Sequence, residues 1–329
     1  MPKKLLIIRF SSIGDIVLTS PVVRCISQQL KDVEVHYLTK DRYAPIVANN
    51  PYISKVYSIK KSVTEVIRDL RRENYDYIID LHKNLRTGQV LAGLMKPFSS
   101  FNKLNIEKWL MVRFKVNKLP PVHIVDRYID TVRSLGVMPD NGGLDFFIPE
   151  SQEVELTGNL SGLNKGYVAI VVGGNHNTKI LPPEIVIQII NELKLNAILL
   201  GGNEDKSRGD YIEQESAGRA INLCGKYNLM GSASLVRQSK AILTNDTGLM
   251  HIAAAFRKPM ATVWGNTIPE FGMYPYVLDD TPVLISEVKD LKCRPCSKLG
   301  YPECPLKHFK CMRDQNWRCI AEFLNDVTS

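Results

Sequence analysis

The stretch Lys4-Leu-Leu-Ile-Ile-Arg-Phe-Ser-Ser-Ile-Gly-Asp-Ile16 decides the fold of this 329-residue chain. Its first part, Lys4–Phe10, is a nearly continuous apolar run, which is typical of a parallel strand buried on both faces. A short Ser- and Gly-containing turn follows, and residues 22–30 then carry apolar side chains at helical spacing. A strand that leads through such a turn into a helix is the opening unit of a doubly wound sheet.

Strand-like and helix-like segments go on alternating along the chain. Further strand-like runs in the first half lie at Glu34–Leu38, Lys55–Ile59 and Tyr75–Leu81. Between about residues 140 and 165 the pattern gives way to Gly, Asn, Ser and acidic residues, which is typical of a connection between domains. Alternation restarts at Tyr167–Val172 and ends in a helical stretch from Trp317 to Val327.

This alternation predicts an α/β protein with two Rossmann-like, doubly wound domains that face each other across a cleft. We expect residues 1–150 to form the N-terminal domain and residues 151–312 the C-terminal domain. Residues 313–329 are expected to form a helix that packs back toward the N-terminal domain. Neither G-x-G-x-x-G nor G-x-x-x-x-G-K-[ST] follows a first strand, which argues against a dehydrogenase or a P-loop enzyme.

The formal net charge of +8 favours an anionic partner, such as nucleic acid, anionic lipid or a phosphorylated small molecule. The sequence has no RNA-binding RNP pattern, no zinc-finger spacing and no basic heptad region, so we do not expect nucleic acid. The longest apolar runs are strand-sized and far below the roughly 20 residues that cross a bilayer. Arg9 interrupts the first run and no cleavage site follows, so we expect a cytoplasmic protein rather than a secreted one.

Ser12, Gly14 and Asp15 follow the first predicted strand. Gly14 permits tight backbone geometry, and the serine supplies a small hydrogen-bonding group beside it. An aspartate at a helix start is commonly an N-cap, but the Ser-Ser-x-Gly context favours a carboxylate that points into the cleft. Lys83 and Arg86, which follow another predicted strand, are placed to contact phosphate or carboxylate groups.

Two loops of the second half carry groups that suit an anion. The first, Gly173–Lys179, offers Gly, Asn and Thr donors for phosphate oxygens, and Lys179 adds a positive charge. The same loop also fits an ordinary solvated turn. The second, Thr244–Ala254, places Asp246 and Thr247 at the start of a predicted helix.

Gly248 at that helix start lets unpaired N–H groups approach an anion, and a diphosphate is favoured there by the helix dipole. His251 lies one turn further along the helix. A histidine on an apolar helix is usually a core residue, but its distance of one turn from the helix start favours a functional role.

Three motifs, in this order, resemble those of the glycosyltransferase family 9 heptosyltransferases, which build the inner core of lipopolysaccharide. They are Ser-Ser-Ile-Gly-Asp at 11–15, Thr-Lys-x-Leu-Pro at 178–182 and Asn-Asp-Thr-Gly-Leu-Met-His-Ile-Ala-Ala at 245–254. The resemblance implies a GT-B fold, an ADP-heptose donor and an inverting transfer to a lipid A–Kdo acceptor. It also implies a peripheral enzyme at the inner leaflet of the cytoplasmic membrane.

The resemblance implies a role for each matching position. Asp15 matches the general base, and Lys179 matches a lysine near the donor phosphate or heptose. Donor-binding residues are implied at Asn177, Thr178, Glu204, Tyr227, Asp246, Thr247, Gly248 and His251. Glu204 would hold the ribose hydroxyls and Tyr227 would cover the adenine, whereas Ser12, Gly14, Lys83 and Arg86 would bind the acceptor.

Leu181 departs from the family pattern, because members often carry an aromatic residue before this proline. The resemblance therefore defines the nucleotide part of the donor better than the sugar part. Alternatives are a member that uses another nucleotide sugar, a GT-B nucleotide-sugar epimerase and a non-catalytic binder. No Asp-x-Asp motif lies beside the donor loops, so we expect no obligatory divalent ion.

Residues 96–118 carry six Lys or Arg against the single acid Glu107. The aromatic residues among them are Phe98, Phe101, Trp109 and Phe114. A basic and aromatic surface suits a phosphorylated lipid head group or an anionic leaflet. The alternative is a solvated helix whose aromatic residues pack inward.

Five of the seven cysteines lie in Cys293–Cys319. Four thiolates from Cys293, Cys296, Cys304 and Cys311 would suit a structural zinc ion. The alternatives are reduced structural cysteines or a disulfide. None of these readings is catalytic, and no cofactor is expected to be required.

Overall fold

The computed structural model describes residues 3–278 and 280–329. The chain forms two compact units, and each has one parallel sheet. The first unit contains the residues up to Leu104 together with Val122–Phe147. The second contains Asn105–Pro121 and Ile148–Ser329. Asn105–Pro121, which lies within the range predicted for the N-terminal domain, is therefore part of the second unit.

The first sheet has five strands in the order β3-β2-β1-β4-β5. Its strands are β1 (Lys3–Ile8), β2 (Val33–Lys40), β3 (Lys55–Ile59), β4 (Tyr77–Asp80) and β5 (Phe98–Ser100). All neighbouring pairs are parallel. The apolar run of β1 occupies the centre of this sheet, and Leu6, Ile7 and Ile8 are fully buried there.

The second sheet has six strands in the order β11-β10-β9-β6-β7-β8, again all parallel. Its strands are β6 (Tyr167–Val171), β7 (Asn196–Leu200), β8 (Ala220–Asn222), β9 (Ala241–Asn245), β10 (Met260–Trp264) and β11 (Val283–Glu287). The chain order reverses between β6 and β9, which is the position where ligands of doubly wound sheets bind.

Thirteen α-helices lie in the described residues. They are α1 (Ile13–Val17), α2 (Ser20–Gln29), α3 (Ala44–Ala48), α4 (Ile67–Glu73), α5 (Leu85–Leu94), α6 (Asn105–Phe114), α7 (Ile124–Ile129), α8 (Pro183–Glu192), α9 (Lys206–Glu215), α10 (Leu229–Gln238), α11 (Gly248–Ala255), α12 (Lys310–Arg313) and α13 (Trp317–Thr328). Pro21 lies in the first turn of α2, where its missing N–H removes no intrahelical hydrogen bond. In the part of the chain that the structure describes, no helix is long and apolar enough to span a bilayer.

The C-terminal helix α13 contributes to the core of the second unit. The side chain of Asn316 caps the helix by accepting a hydrogen bond of 3.3 Å from the Cys319 N–H. Its buried residues Ile320, Ala321 and Leu324 belong to the apolar cluster of that unit, and the helix packs against α8 and β9. The idea that this helix packs back toward the N-terminal domain stays a prediction.

Arg24 of α2 joins two acidic residues near the end of the first unit. Its guanidinium is buried, donates to Asp140 Oδ2 at 2.6 Å and Oδ1 at 2.9 Å, and pairs with Asp145. The hydrogen bond from Arg24 holds the pKa of Asp140 at about 2. Because that pKa is below the unfolded value of about 3.9, the stabilisation is present near neutral pH and is lost as the pH falls toward 2.

Arg24→Ala should lower the free energy of unfolding by about 3 kcal/mol, because it leaves two partly buried carboxylates without their cation. Chemical denaturation at neutral pH measures this. The matched control is Arg72→Ala, which removes an exposed pair with Asp69 and should change stability by less than about 0.5 kcal/mol. Equal effects of the two substitutions would contradict this role of Arg24.

Candidate functional site

Asp15 lies on the first turn of α1, directly after the carboxyl end of β1. Ser12 is the N-cap of this helix and Asp15 is its third residue, so the reading of Asp15 as the N-cap itself is wrong. Asp15 Oδ2 accepts hydrogen bonds from the Ser12 N–H at 3.0 Å and from the Ser12 hydroxyl at 2.8 Å. The half-buried Asp15 side chain therefore satisfies the N–H of the N-cap residue, as in a capping box.

Arg9 forms an ion pair with Asp15, with 2.6 Å between Nη2 and Oδ1. The guanidinium is buried and also donates to Ser11 O at 2.7 Å, to Tyr128 Oη at 2.9 Å and to Leu81 O. Burial alone would raise the pKa of Asp15, but the charge of Arg9 and the Ser12 hydrogen bonds outweigh it and lower that pKa. Asp15 is therefore an ionised carboxylate at neutral pH.

Lys83 lies in the turn between β4 and α5, and Arg86 lies in the first turn of α5, at the same edge of the first sheet. β4 is the neighbour of β1, and Asp80 pairs with Ile8 at the end of the two strands. The buried Asp80 accepts hydrogen bonds through Oδ1 from the N–H groups of His82 at 2.9 Å and Lys83 at 2.7 Å. This acid, which sequence reasoning missed, fixes the turn.

Asn84 ends the turn by capping α5 through a 2.9 Å hydrogen bond from the Thr87 N–H. Lys83 is exposed, whereas Arg86 is half-buried with its guanidinium 5.7 Å from the centre of the Phe10 ring. The two predicted cations are therefore held beside the β1 end by a structured turn.

His82 is a second residue that sequence reasoning missed. Its ring makes an edge-to-face contact with Phe10, with 5.5 Å between centroids. Burial and the nearby charges of Arg9 and Lys103 lower the pKa of His82 to about 3, so the ring is neutral at physiological pH. Its position directly after a predicted strand was the available signal.

In the second unit, Lys179 and Asp246 form a close ion pair, with 2.5 Å between Nζ and Oδ2. Thr267 adds a hydrogen bond of 2.9 Å from its hydroxyl to the same carboxylate oxygen. The three residues follow β6, β9 and β10, which are neighbours in the sheet. The structure therefore brings together the two loops of the second half whose groups suit an anion.

Helix α11 begins at Gly248 beside this ion pair, and Thr247 is its N-cap residue. Thr247 makes no side-chain capping bond; its hydroxyl lies 3.3 Å from that of Thr244. The N–H groups of a first helical turn have no intrahelical acceptor and suit an anion. His251, one turn further on, is buried.

Thr178 and Asn177 have different surroundings although they are adjacent. Thr178 is buried, and its hydroxyl donates to Tyr301 O at 3.1 Å and accepts from the Tyr301 N–H at 2.8 Å. Asn177 is exposed. A cavity of about 340 Å³ adjoins them and is lined by Asn177, Thr178, Pro302, Glu303, Cys304, Lys307 and Phe309. Direct contact between Thr178 and a donor stays a prediction.

Glu204 is exposed after β7, and its neighbour Asp205 organises this loop. Asp205 is buried, accepts a hydrogen bond from the Gly202 N–H at 2.9 Å and pairs with Arg208 at 2.6 Å. Tyr227 is half-buried and packs over Gly231 of α10. Both predicted nucleotide contacts, Glu204 and Tyr227, thus follow strands of the second sheet, and their ligand roles stay predictions.

Arg294 holds the loop that follows β10. Its guanidinium donates to the carbonyl oxygens of Gly265 at 2.6 Å and Thr267 at 3.0 Å, and it pairs with Glu287 at 2.9 Å. The amide of Asn266 in the same loop is buried and has no hydrogen-bond partner among the described residues. Neither residue has a sequence pattern that would single it out.

The cysteine segment does not form the predicted zinc site. Within residues 3–278 and 280–329, no group of three or more Cys, His, Asp or Glu side chains is arranged to hold a metal ion. Cys311 is buried in the core of the second unit, where desolvation raises its pKa to about 12, and burial likewise raises that of Cys296 to about 11. All seven cysteines are free within the described residues, so the disulfide alternative is also wrong.

Residues 96–118 only partly match the expected basic and aromatic surface. Phe101 is buried in an edge-to-face contact with Tyr128 at 4.9 Å, so it is a core residue. Phe98, Trp109 and Phe114 are exposed. The alternative of aromatic side chains packed inward is therefore wrong for these three.

Two parallel α/β sheets, with polar turns at the carboxyl ends of adjacent strands, define the class of doubly wound α/β proteins. Residues 63–301 match the model of glycosyltransferase family 9 (heptosyltransferase). The chain belongs to this family and is a glycosyltransferase.

Relatives and solved structures agree with this assignment. The chain is 25% identical over 297 residues to lipopolysaccharide heptosyltransferase 1 of Campylobacter coli, covering 80% of this chain and 84% of the relative. A family 9 glycosyltransferase of Veillonella parvula has a TM-score of 0.77 at 19% identity, covering 99% and 97% of the two chains. The ADP-heptose lps heptosyltransferase II of E. coli has a TM-score of 0.73 at 19% identity, covering 99% and 98%. The predicted GT-B fold class is confirmed.

Arg9→Gln should raise the pKa of Asp15, because burial of the carboxylate is then opposed mainly by the Ser12 hydrogen bonds. Titration of the Asp15 carboxyl carbon by NMR measures the change. Tyr128→Phe is the matched control, since it removes one hydrogen bond of Arg9 but keeps the ion pair. An unchanged pKa in Arg9→Gln would show that Arg9 does not hold Asp15 ionised.

Proposed function

We propose that this glycosyltransferase moves heptose from ADP-heptose to a lipid A–Kdo acceptor of the lipopolysaccharide inner core, with inversion at the anomeric carbon. The observation that carries the proposal is the Lys179–Asp246 ion pair beside the start of α11 at Gly248, where no side chain caps the helix. Support also comes from the names of the relatives, which are lipopolysaccharide heptosyltransferases and, in E. coli, an ADP-heptose enzyme.

Asp15 is proposed as the general base. An inverting transfer needs one base, in contrast to the carboxylate pair of a retaining glycosidase. The acceptor hydroxyl oxygen bonds to the anomeric carbon, the bond from that carbon to the diphosphate oxygen breaks, and Asp15 takes the hydroxyl proton. The low pKa of Asp15 makes it a weak base, but the same low pKa keeps its carboxylate unprotonated. A weak base is sufficient, because the acceptor hydroxyl becomes more acidic as its oxygen bonds to the anomeric carbon.

Lys179 and the amides at the start of α11 are proposed to bind the donor diphosphate. The departing ADP gains negative charge as the bond to the sugar breaks, and preorganised donors stabilise that charge. Asp246 orients the Lys179 ammonium through the 2.5 Å contact. In this proposal Glu204 binds the ribose, Tyr227 covers the adenine, and Asn177, Thr178, Thr247, Gly248 and His251 complete the donor site.

Ser12, Gly14, Lys83 and Arg86 are proposed to bind the acceptor. The neutral His82 and the cations Lys83 and Arg86 at the end of the first sheet would suit a carboxylate-bearing sugar. A lipid-linked acceptor places the enzyme at the inner leaflet of the cytoplasmic membrane, as a peripheral protein.

Asp15→Asn should lower kcat by ~10²–10⁴-fold, because a positioned base contributes about that factor. The affinity for ADP should stay unchanged, since Asp15 is not part of the donor site. Single-turnover transfer and ADP titration calorimetry measure the two quantities. Asp69→Asn, on the exposed face of α4, is the matched control. Full activity in Asp15→Asn would remove this residue from the mechanism.

The same assay tests the alternatives. NMR of the product distinguishes inversion from retention at the anomeric centre. A nucleotide-sugar epimerase would convert donor with no acceptor present, whereas a transferase would not. A panel of ADP- and UDP-sugars tests whether heptose is the donor sugar.

Lys179→Met should reduce kcat/KM for the donor by about 10- to 100-fold, because the substitution removes one hydrogen bond to a charged group. Initial rates over a range of ADP-heptose concentrations measure the effect. Lys165→Met, an exposed lysine of the same unit, is the matched control. Unaltered donor KM and kcat would exclude Lys179 from donor binding.

A further inference from the structure

Leu299 is held in solvent by a hydrogen-bonded turn in the cysteine segment. The Ser297 hydroxyl accepts hydrogen bonds from the N–H groups of Leu299 and Gly300, each at 3.0 Å. This geometry places Leu299 at the tip of the turn, with 62% of the residue exposed. An apolar side chain held outward in this way loses the free energy that burial would give.

Both ends of this turn are anchored to the second unit. On one side, the Cys296 N–H donates to Asn266 O at 3.2 Å. On the other side, the backbone of Tyr301 is bonded to Thr178 through both its N–H and its carbonyl. The exposure of Leu299 is therefore built into the fold of the segment.

The same segment exposes a second apolar side chain among lysines. Leu306 is 60% exposed and is followed by the exposed Lys307. The exposed charged residues between 292 and 310 are Lys292, Lys298, Lys307 and Lys310, against Glu303. The two leucines therefore project from a positively charged strip.

Helix α6 is joined directly to this segment by Lys115. Its Nζ donates to Pro295 O at 2.6 Å, to Cys293 O at 3.3 Å and to Val112 O at the end of the helix at 2.9 Å. All of these residues belong to the second unit. The end of α6 and the cysteine segment therefore lie next to each other.

Helix α6 also turns apolar side chains to solvent. The structure describes all ten of its residues, and none of them is buried. Ile106 is 71% and Trp109 56% exposed, and they lie on one face with Arg113. Trp109 also contacts the exposed Phe114 edge to face, with 5.2 Å between centroids. An ordinary surface helix buries such a face.

We propose that Ile106, Trp109, Phe114, Leu299 and Leu306 form one docking surface for an anionic lipid bilayer. The apolar tips enter the interfacial region, and the flanking lysines meet lipid phosphates. A second copy of the chain fits less well, because a symmetric contact would oppose two positively charged strips. The choice of a bilayer rests on the proposed lipid-linked acceptor, but the binding itself can be measured without transfer.

The first experiment is flotation of the full chain with phosphatidylcholine vesicles, with and without phosphatidylglycerol. Wild type should bind the anionic vesicles and lose binding at high salt. Leu299→Ser with Leu306→Ser should weaken binding by about tenfold or more, because one buried leucine contributes about that factor. Lys298→Glu with Lys307→Glu should do the same.

Matched controls are Tyr211→Ser and Lys165→Glu, which change exposed residues elsewhere on the second unit. Both should bind vesicles like wild type. Equal thermal unfolding of all variants shows that the chain still folds. Vesicle binding that is independent of anionic lipid, or unchanged in the leucine and lysine variants, would overturn the proposal.

A transfer assay separates this proposal from the proposed function. The leucine variant should lose transfer to acceptor embedded in anionic vesicles and keep transfer to a water-soluble acceptor sugar. Equal loss with both acceptors would place these leucines in catalysis and overturn the docking surface. A wild-type dimer that the leucine substitutions dissociate would assign the surface to a second copy instead. Absence of any transfer by wild type would refute the proposed function and leave the vesicle result standing.

Discussion

The buried guanidinium of Arg9 organises the candidate acceptor side of the molecule. A buried cation is costly unless its charge and its N–H groups are all compensated. Here the carboxylate of Asp15 compensates the charge, and Ser11 O, Leu81 O and Tyr128 Oη take the remaining hydrogen bonds. The same residue thus fixes the end of β1, the end of β4 and the protonation state of Asp15. The position and the ionisation of that carboxylate have a single physical origin.

The central strands could be predicted from the sequence, whereas several outer ones could not. β1, β6 and β9 are covered on both faces and therefore carry continuous apolar runs. The strands that the analysis missed, β5, β8 and β11, each lie at a sheet edge and are short or half-covered. β5 and β8 have only three residues each and β11 has no buried side chain, so these strands give no clear periodic signal, whereas the five-residue edge strand β3 was predicted. The link of the cysteine segment to α6 spans some 180 positions of the chain, and no local pattern encodes it.

The candidate site was predictable at the level of loops but not of individual contacts. Glycine and small polar residues after strands identified the turns that carry Asp15, Lys179 and Asp246, because such turns need backbone freedom and donors. The Lys179–Asp246 pair depends on the adjacency of β6 and β9, which is a property of topology. Asp80 and Arg294 hold their loops in place through hydrogen bonds to backbone groups. The residue types next to them in the sequence do not indicate these hydrogen bonds. The zinc interpretation failed because spacing alone does not show that Cys311 faces a core.

The hydroxyl of Thr178 has one proton, and that proton is directed to the carbonyl of Tyr301. A phosphate oxygen accepts hydrogen bonds, so a hydrogen bond from Thr178 to a donor phosphate would require this hydroxyl proton to turn away from Tyr301 O. One member of a sequence signature for ligand recognition is therefore occupied with holding two chain segments together. A valine at this position would fill the same volume and break both hydrogen bonds, while a serine would keep them. The residue type at a motif position can thus reflect how a loop is held in place rather than how it binds a substrate.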